Sequence, residues 1–100
     1  MKIVFSKASR QDLREISNYI SYTLKNPIAA KSVIERILRS VNHLSDQPNM
    51  GVNLQDKCGI KTAYKCLFCE NYIAFYIVQN ETVKIIRILD GRTDYLKVIF

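Results

Sequence analysis

The sequence predicts a two-layer α+β domain: an N-terminal strand, an antiparallel helix hairpin, then a three-stranded antiparallel sheet. Three observations carry this. Two stretches with apolar residues at three- and four-residue spacing stand back to back, joined through Asn26-Pro27. Runs rich in β-branched and aromatic residues follow, separated by short polar turns. The chain has 100 residues, 48 % of them hydrophobic, which suffices for one core and a single domain spanning residues 1–100.

Lys2 to Phe5 reads as the first strand. A helix over about Ala8 to Leu24 carries Leu13, Ile16, Ile20 and Leu24 as one apolar stripe, with Arg10, Asp12, Arg14 and Ser17 on other faces. Ser6 or Ser9 caps it, Ser9 having Asp12 three residues on. Asn26 suits an N-cap and Pro27 a first helical position, so a second helix runs to about Leu44. Ala30, Val33, Ile34, Ile37, Leu38, Val41 and Leu44 form its apolar face. A linker this short folds the two helices into a hairpin.

Ser45 to Asn53, with Pro48, Asn49 and Gly51, reads as a loop. Strands follow over about Thr62–Phe68, Tyr72–Val78 and Thr82–Leu89, joined by Glu70-Asn71 and Gln79-Asn80-Glu81. Tyr72–Val78 is apolar on both parities, which places it in the middle of the sheet. With helices on one face only, the other sheet face is expected to await a partner.

The chain has 15 basic and 9 acidic residues, a net charge of +6. The excess is spread over both halves, which suits a polyanion, an acidic protein partner, or solubility alone. No run reaches the roughly 20 apolar residues that span a bilayer, and the N-terminus lacks a secretory apolar core, so a cytoplasmic protein without membrane contact is expected. Cys58, Cys66 and Cys69 fit reduced, structural thiols. Cys66 and Cys69 have the spacing of a zinc pair, yet only Cys58 and His43 remain to complete four ligands; neither metal nor cofactor is expected. His43 falls on the polar side of its helix as a solvated residue.

The C-terminal segment is the most informative. Val83 to Leu89 is an apolar run with Arg87 inside it, and a buried arginine needs a partner. Asp90-Gly91 makes a turn, then Arg92, Asp94, Tyr95 and Lys97 follow, well placed to bind a target. Arg87-Ile-Leu-Asp-Gly-Arg92-Thr-Asp94-Tyr95 resembles the C-terminal signature of the RelE/ParE superfamily, toxins of bacterial type II toxin–antitoxin pairs. Its pattern is roughly Arg-Val-Leu-His then Gly-Arg-Arg-Asp, and Asp90 stands where many ParE-like members have His. Ala8 to Ile20 is similar to the family's first helix, Leu44 to Gly51 to its helix-to-sheet loop, and Tyr72 to Val78 to its central strand. The resemblance implies a RelE/ParE-like fold, a growth-arresting toxin, and a cognate acidic antitoxin whose disordered tail folds around it. Homodimers and toxin–antitoxin heterotetramers both fit.

Three functions stay open. The ParE-like branch, favoured by the long hairpin and the Arg87–Asp94 segment, implies inhibition of DNA gyrase. Target contacts then fall on Arg87, Arg92, Asp94, Tyr95 and Lys97. The RelE-like branch implies a ribosome-dependent messenger-RNA endonuclease. Attack by a ribose 2′-hydroxyl needs a base, an acid and cations for the phosphate, and Lys61, Lys65, Arg87 and Tyr95 supply those types. Arg87 is the natural phosphate clamp, since a guanidinium contacts two oxygens at once. Tyr95 donates a proton or stacks on a base. The third reading is a non-toxic basic binding module. Each residue also has a plain structural role: Arg87 pairing with Asp90 or Asp94, Lys61 and Lys65 solvated, Tyr95 packing its ring on the sheet, Tyr64, Tyr72 and Tyr76 filling core or partner faces. On this reading, Arg87→Ala and Arg92→Ala weaken toxicity and leave the fold mostly intact.

Overall fold

The computed structural model describes residues 1–100. The expected order of elements is present. Strand β1 (Lys2–Phe5) leads into helix α1 (Lys7–Asn18), and α2 (Pro27–Asn42) completes the hairpin. Strands β3 (Lys65–Cys69), β4 (Tyr72–Gln79) and β5 (Thr82–Asp90) form the antiparallel meander. Of the two candidate caps for α1, Ser6 is used: its Oγ accepts the Ser9 N–H at 3.0 Å. Asn26 caps α2 by accepting the Ala29 N–H at 3.0 Å, with Pro27 at the first helical position.

Several elements escape the sequence pattern. Past Asn18 the first helix widens into a π-helical turn, Tyr19–Thr23, a form often found at functional sites. That turn rotates the stripe: Ile20 is buried but Leu24 is exposed. The expected loop before the meander holds a two-residue strand, β2 (Val52–Asn53), and is followed by a short helix, α3 (Leu54–Cys58). A last short helix, α4 (Tyr95–Ile99), follows β5. Thr62 to Tyr64 stay outside β3, and the Thr62 hydroxyl accepts the Tyr64 N–H.

The sheet has five strands in the order β1-β5-β4-β3-β2, with β4 central as expected. β1 joins β5 in parallel, and the other pairings are antiparallel. On the hairpin side, Ile37, Val41 and Leu44 pack on Leu67, Ala74, Tyr76, Val83, Ile85 and Ile88. The opposite face does not stand open. α3 and α4 roof it, so that Leu54, Cys66, Ile73 and Phe75 form a second buried cluster with Tyr95, Leu96 and Ile99 beside it. Two five-residue helices thus replace much of the cover expected from a partner.

β5 contains a bulge that controls its later half. Tyr76 pairs with Ile85 and Phe75 with Arg87, leaving Ile86 unopposed. Val83 and Ile85 face the hairpin, but after the bulge the even-numbered Ile88 takes that role. Without the extra residue, Arg87 would continue the parity of Val83 and Ile85 into the apolar core.

Tyr76 fastens the loop between hairpin and sheet. Its hydroxyl donates to the Pro48 carbonyl at 2.9 Å and accepts the Gly51 N–H at 3.0 Å. A Cβ on Gly51 would lie 2.6 Å from both that hydroxyl and the Cys66 carbonyl, so only glycine fits. Burial pushes the Tyr76 phenol up, opposed by its hydrogen bond with Gly51. No helix is long and apolar enough to cross a membrane.

Candidate target-binding surface

The surface is built outward from the free edge of β5. β1 pairs only as far as Ile85, and beyond it the start of α1 takes over the edge. The Ser6 N–H donates to the Ile85 carbonyl at 2.9 Å and the Ser6 hydroxyl to the Ile86 carbonyl at 2.7 Å. Asp12 Oδ2 then accepts the buried Ile88 N–H at 2.9 Å. Ser6 and Asp12 thus substitute for missing ladder bonds, while the buried Ser9 between them donates its hydroxyl to the Ser6 carbonyl at 2.9 Å. Asp12, off the apolar stripe of α1, is nevertheless buried, at 5 % exposure.

The same carboxylate holds Arg87. Nε lies 2.7 Å from Asp12 Oδ2 and Nη2 lies 2.8 Å from Oδ1, a two-pronged pair. Arg87 thus has its partner 75 residues away, not in Asp90 or Asp94. Its proton affinity is raised chiefly by the hydrogen bonding to Asp12, against the opposing effect of desolvation. The guanidinium first of all ties α1 to β5.

Asp90 serves Arg92 instead. Asp90 Oδ1 accepts the Arg92 backbone N–H at 2.9 Å and Nε at 3.2 Å, while Oδ2 accepts Nη2 at 2.9 Å. The Arg92 guanidinium beside it holds the Asp90 carboxyl below the usual carboxylate range. The Arg92 side chain remains 88 % exposed, fixed in direction yet open to a partner. Asp94 precedes α4, and Lys97 Nζ stands 3.7 Å from its carboxylate in a loose, solvated pair. Tyr95 packs its ring 5.2 Å from that of Phe75. Arg92 and Asp94 therefore stand in the turn after β5, Tyr95 and Lys97 in the α4 that follows it, and Arg87 in the strand before.

The lysines lie elsewhere. Lys61 is exposed in the segment before β3. Lys65 opens β3 and donates to Asn53 Oδ1 at 2.7 Å. It pairs with Tyr76, on the hairpin face, whereas Tyr95 packs on the opposite face beside Phe75 and Cys66. The sheet itself keeps Lys65 apart from Tyr95. His43 is exposed, and no group of three metal-ligating side chains is gathered anywhere. Cys66 and Cys69 belong to the two opposite clusters, so strand alternation keeps them from closing a bond. Burial pushes the Cys66 thiol up to about 11.

A groove of about 740 Å³ opens between the hairpin and the far end of the sheet. Ile16, Ile20 and Val33 from the hairpin and Tyr72, Ile88 and Leu89 from the sheet supply its apolar wall. Arg36 pairs with Glu70 on its rim at 3.1 Å, and the Asp12–Arg87 and Asp90–Arg92 pairs complete the rim. Sequence reasoning missed Asp12. Its only local sign was an acid in line with Ser6 and Ser9, and nothing nearby in the chain pointed to Arg87.

The fold has a close counterpart among solved structures. A chain from a chromosomal ParDE toxin–antitoxin system of P. aeruginosa superposes with a TM-score of 0.76 at 21 % identity, covering 90 % of this chain and 95 % of its own. No curated protein sequence matches. The model of the ParE toxin of type II toxin–antitoxin systems, parDE, matches residues 3–95. With nearly the whole chain matched, from β1 through the turn that carries Arg92, this protein belongs to the ParE toxin family of type II toxin–antitoxin systems.

Proposed function

We propose that this toxin arrests growth by binding DNA gyrase, with the turn after β5 as its contact surface. The observation that carries this is the separation of Lys65 and Tyr95 onto opposite faces of the sheet. General acid–base cleavage by this pair needs both groups within hydrogen-bond reach of one ribose-phosphate. A binding mechanism needs no such convergence, only a presented surface. Arg92, Asp94 and Lys97 are exposed, and Arg92 is held in direction by Asp90. Arg87 sets the end of β5 and so the position of that turn.

The antitoxin seats the apolar face of an amphipathic segment along the groove between hairpin and sheet. Apolar side chains fill the wall, and the +6 charge of the whole domain, carried outside the groove, draws an acidic partner toward it. Purified toxin added to a gyrase supercoiling reaction, and separately to a translation reaction, tests the target. Inhibited supercoiling with intact message is expected. Cleaved message with untouched supercoiling overturns the proposal.

A further inference from the structure

A second recess lies on the roofed face of the sheet, between α3 and α4. It has about 420 Å³, in the range of small-molecule pockets. Lys57, Phe68, Ile73, Gly91, Arg92 and Tyr95 line it. Phe68 is the anomaly. It pairs with Ile73, which is 3 % exposed, yet Phe68 itself is 50 % exposed. The two short helices cover Cys66, Ile73 and Phe75 and stop short of it. A large aromatic ring thus forms an open wall.

Two cations line the recess with it. Lys57 Nζ stands 4.9 Å from the centre of the Phe68 ring. Lys57 is exposed, so its flexible stem can swing aside and free the ring face. Arg92 also lines the recess; it spends two side-chain donors on Asp90 and keeps the rest of its five for another acceptor. The one carboxylate lining the recess, Glu70, is paired with Arg36.

An aromatic ring and two cations lining one recess suit one ligand chemistry: a flat base carrying a phosphate. We infer that the Phe68 recess binds a nucleotide unit of a single-stranded nucleic acid, the base stacking on Phe68 and its phosphates meeting Lys57 and Arg92. A strand supplies such units in series and exploits the basic charge of the whole domain. The inference goes beyond the gyrase proposal and does not depend on it.

The test is fluorescence anisotropy of labelled twelve-residue oligothymidylate titrated with full-length toxin. Saturable binding that weakens as salt rises is expected. Phe68→Ala is expected to weaken it about tenfold, from the loss of one stacking contact. Phe68→Trp keeps the ring and should restore affinity. Lys57→Ala should weaken binding several-fold more than Lys31→Ala, which removes the same charge from the exposed surface of α2. Far-ultraviolet circular dichroism and melting temperature establish that each variant is folded.

No binding, equal binding by Phe68→Ala, or equal effects of the two lysine variants overturns the inference. Equal competition by thymidine monophosphate, at matched nucleotide concentration, assigns the recess to free nucleotides and overturns the strand. Supercoiling inhibition is measured on the same preparations. Inhibition without oligonucleotide binding removes only the recess; binding without inhibition removes only the gyrase proposal.

Discussion

Replacing Asp12 with alanine removes three hydrogen bonds from one place. Two run to the Arg87 guanidinium at 2.7 and 2.8 Å and one to the Ile88 N–H at 2.9 Å. The Ile88 N–H is buried and would lose its acceptor, at about 1–3 kcal/mol. Removing one partner of a fully buried ion pair costs about 3–5 kcal/mol. The Arg87 side chain keeps 28 % exposure, so water recovers part of that and about 1–2 kcal/mol remains. The sum is roughly 3 kcal/mol, a large share of the stability of a small domain. A melting-point drop on the order of 10–20 °C follows. Arg87→Ala strands the Asp12 carboxylate at 5 % exposure and should cost about as much. The structure thus reverses the expectation that Arg87→Ala spares the fold. Urea unfolding at pH 7 of wild type, both single variants and the double variant gives the coupling, expected at about 2 kcal/mol. A cost for Asp12→Ala below about 1 kcal/mol, or additivity of the two variants, would refute this reading of the clamp.

Gly51→Ala should destabilise by about 3 kcal/mol, because the new Cβ meets the Cys66 carbonyl and the Tyr76 hydroxyl at 2.6 Å; a neutral effect in urea unfolding would show that the loop gives way. Tyr76→Phe should cost roughly 1–3 kcal/mol, since the Gly51 N–H and the Pro48 carbonyl both lose a partner; an unchanged unfolding midpoint would contradict that. At pH 8, a thiol-specific reagent should modify Cys58 quickly and Cys66 and Cys69 only after unfolding, because the last two are buried and the Cys66 thiol titrates near 11; fast release of more than one thiol equivalent from folded protein would show a looser roof. Arg92→Ala should leave the melting temperature near wild type and abolish most of the growth arrest, because the side chain is 88 % exposed and its one ion pair, to Asp90, is at the surface; full toxicity would move the contact surface elsewhere.

By itself, the sequence determined the order of the main elements, the hairpin, the central place of β4 and the family. These rest on local information. Apolar spacing of three and four, the Asn26-Pro27 start signal and the two tight turns are all legible within a few residues. The same reading could flag Arg87 as a residue in need of a partner, because an arginine in an apolar run is costly anywhere. It could not name Asp12, which is 75 positions away and becomes a neighbour only when α1 closes the edge of β5.

Tertiary structure alone decided the rest. Helices α3 and α4 have five residues each, too short to show a period, and owe their form to the sheet beneath them. The bulge at Ile86 depends on the pairing of β4 with β5, and it changes which side chains of β5 meet the core. Whether Lys65 and Tyr95 can meet is likewise a question of sheet faces: the chain supplies both residues, and the alternation of β3 about its paired neighbours parts them.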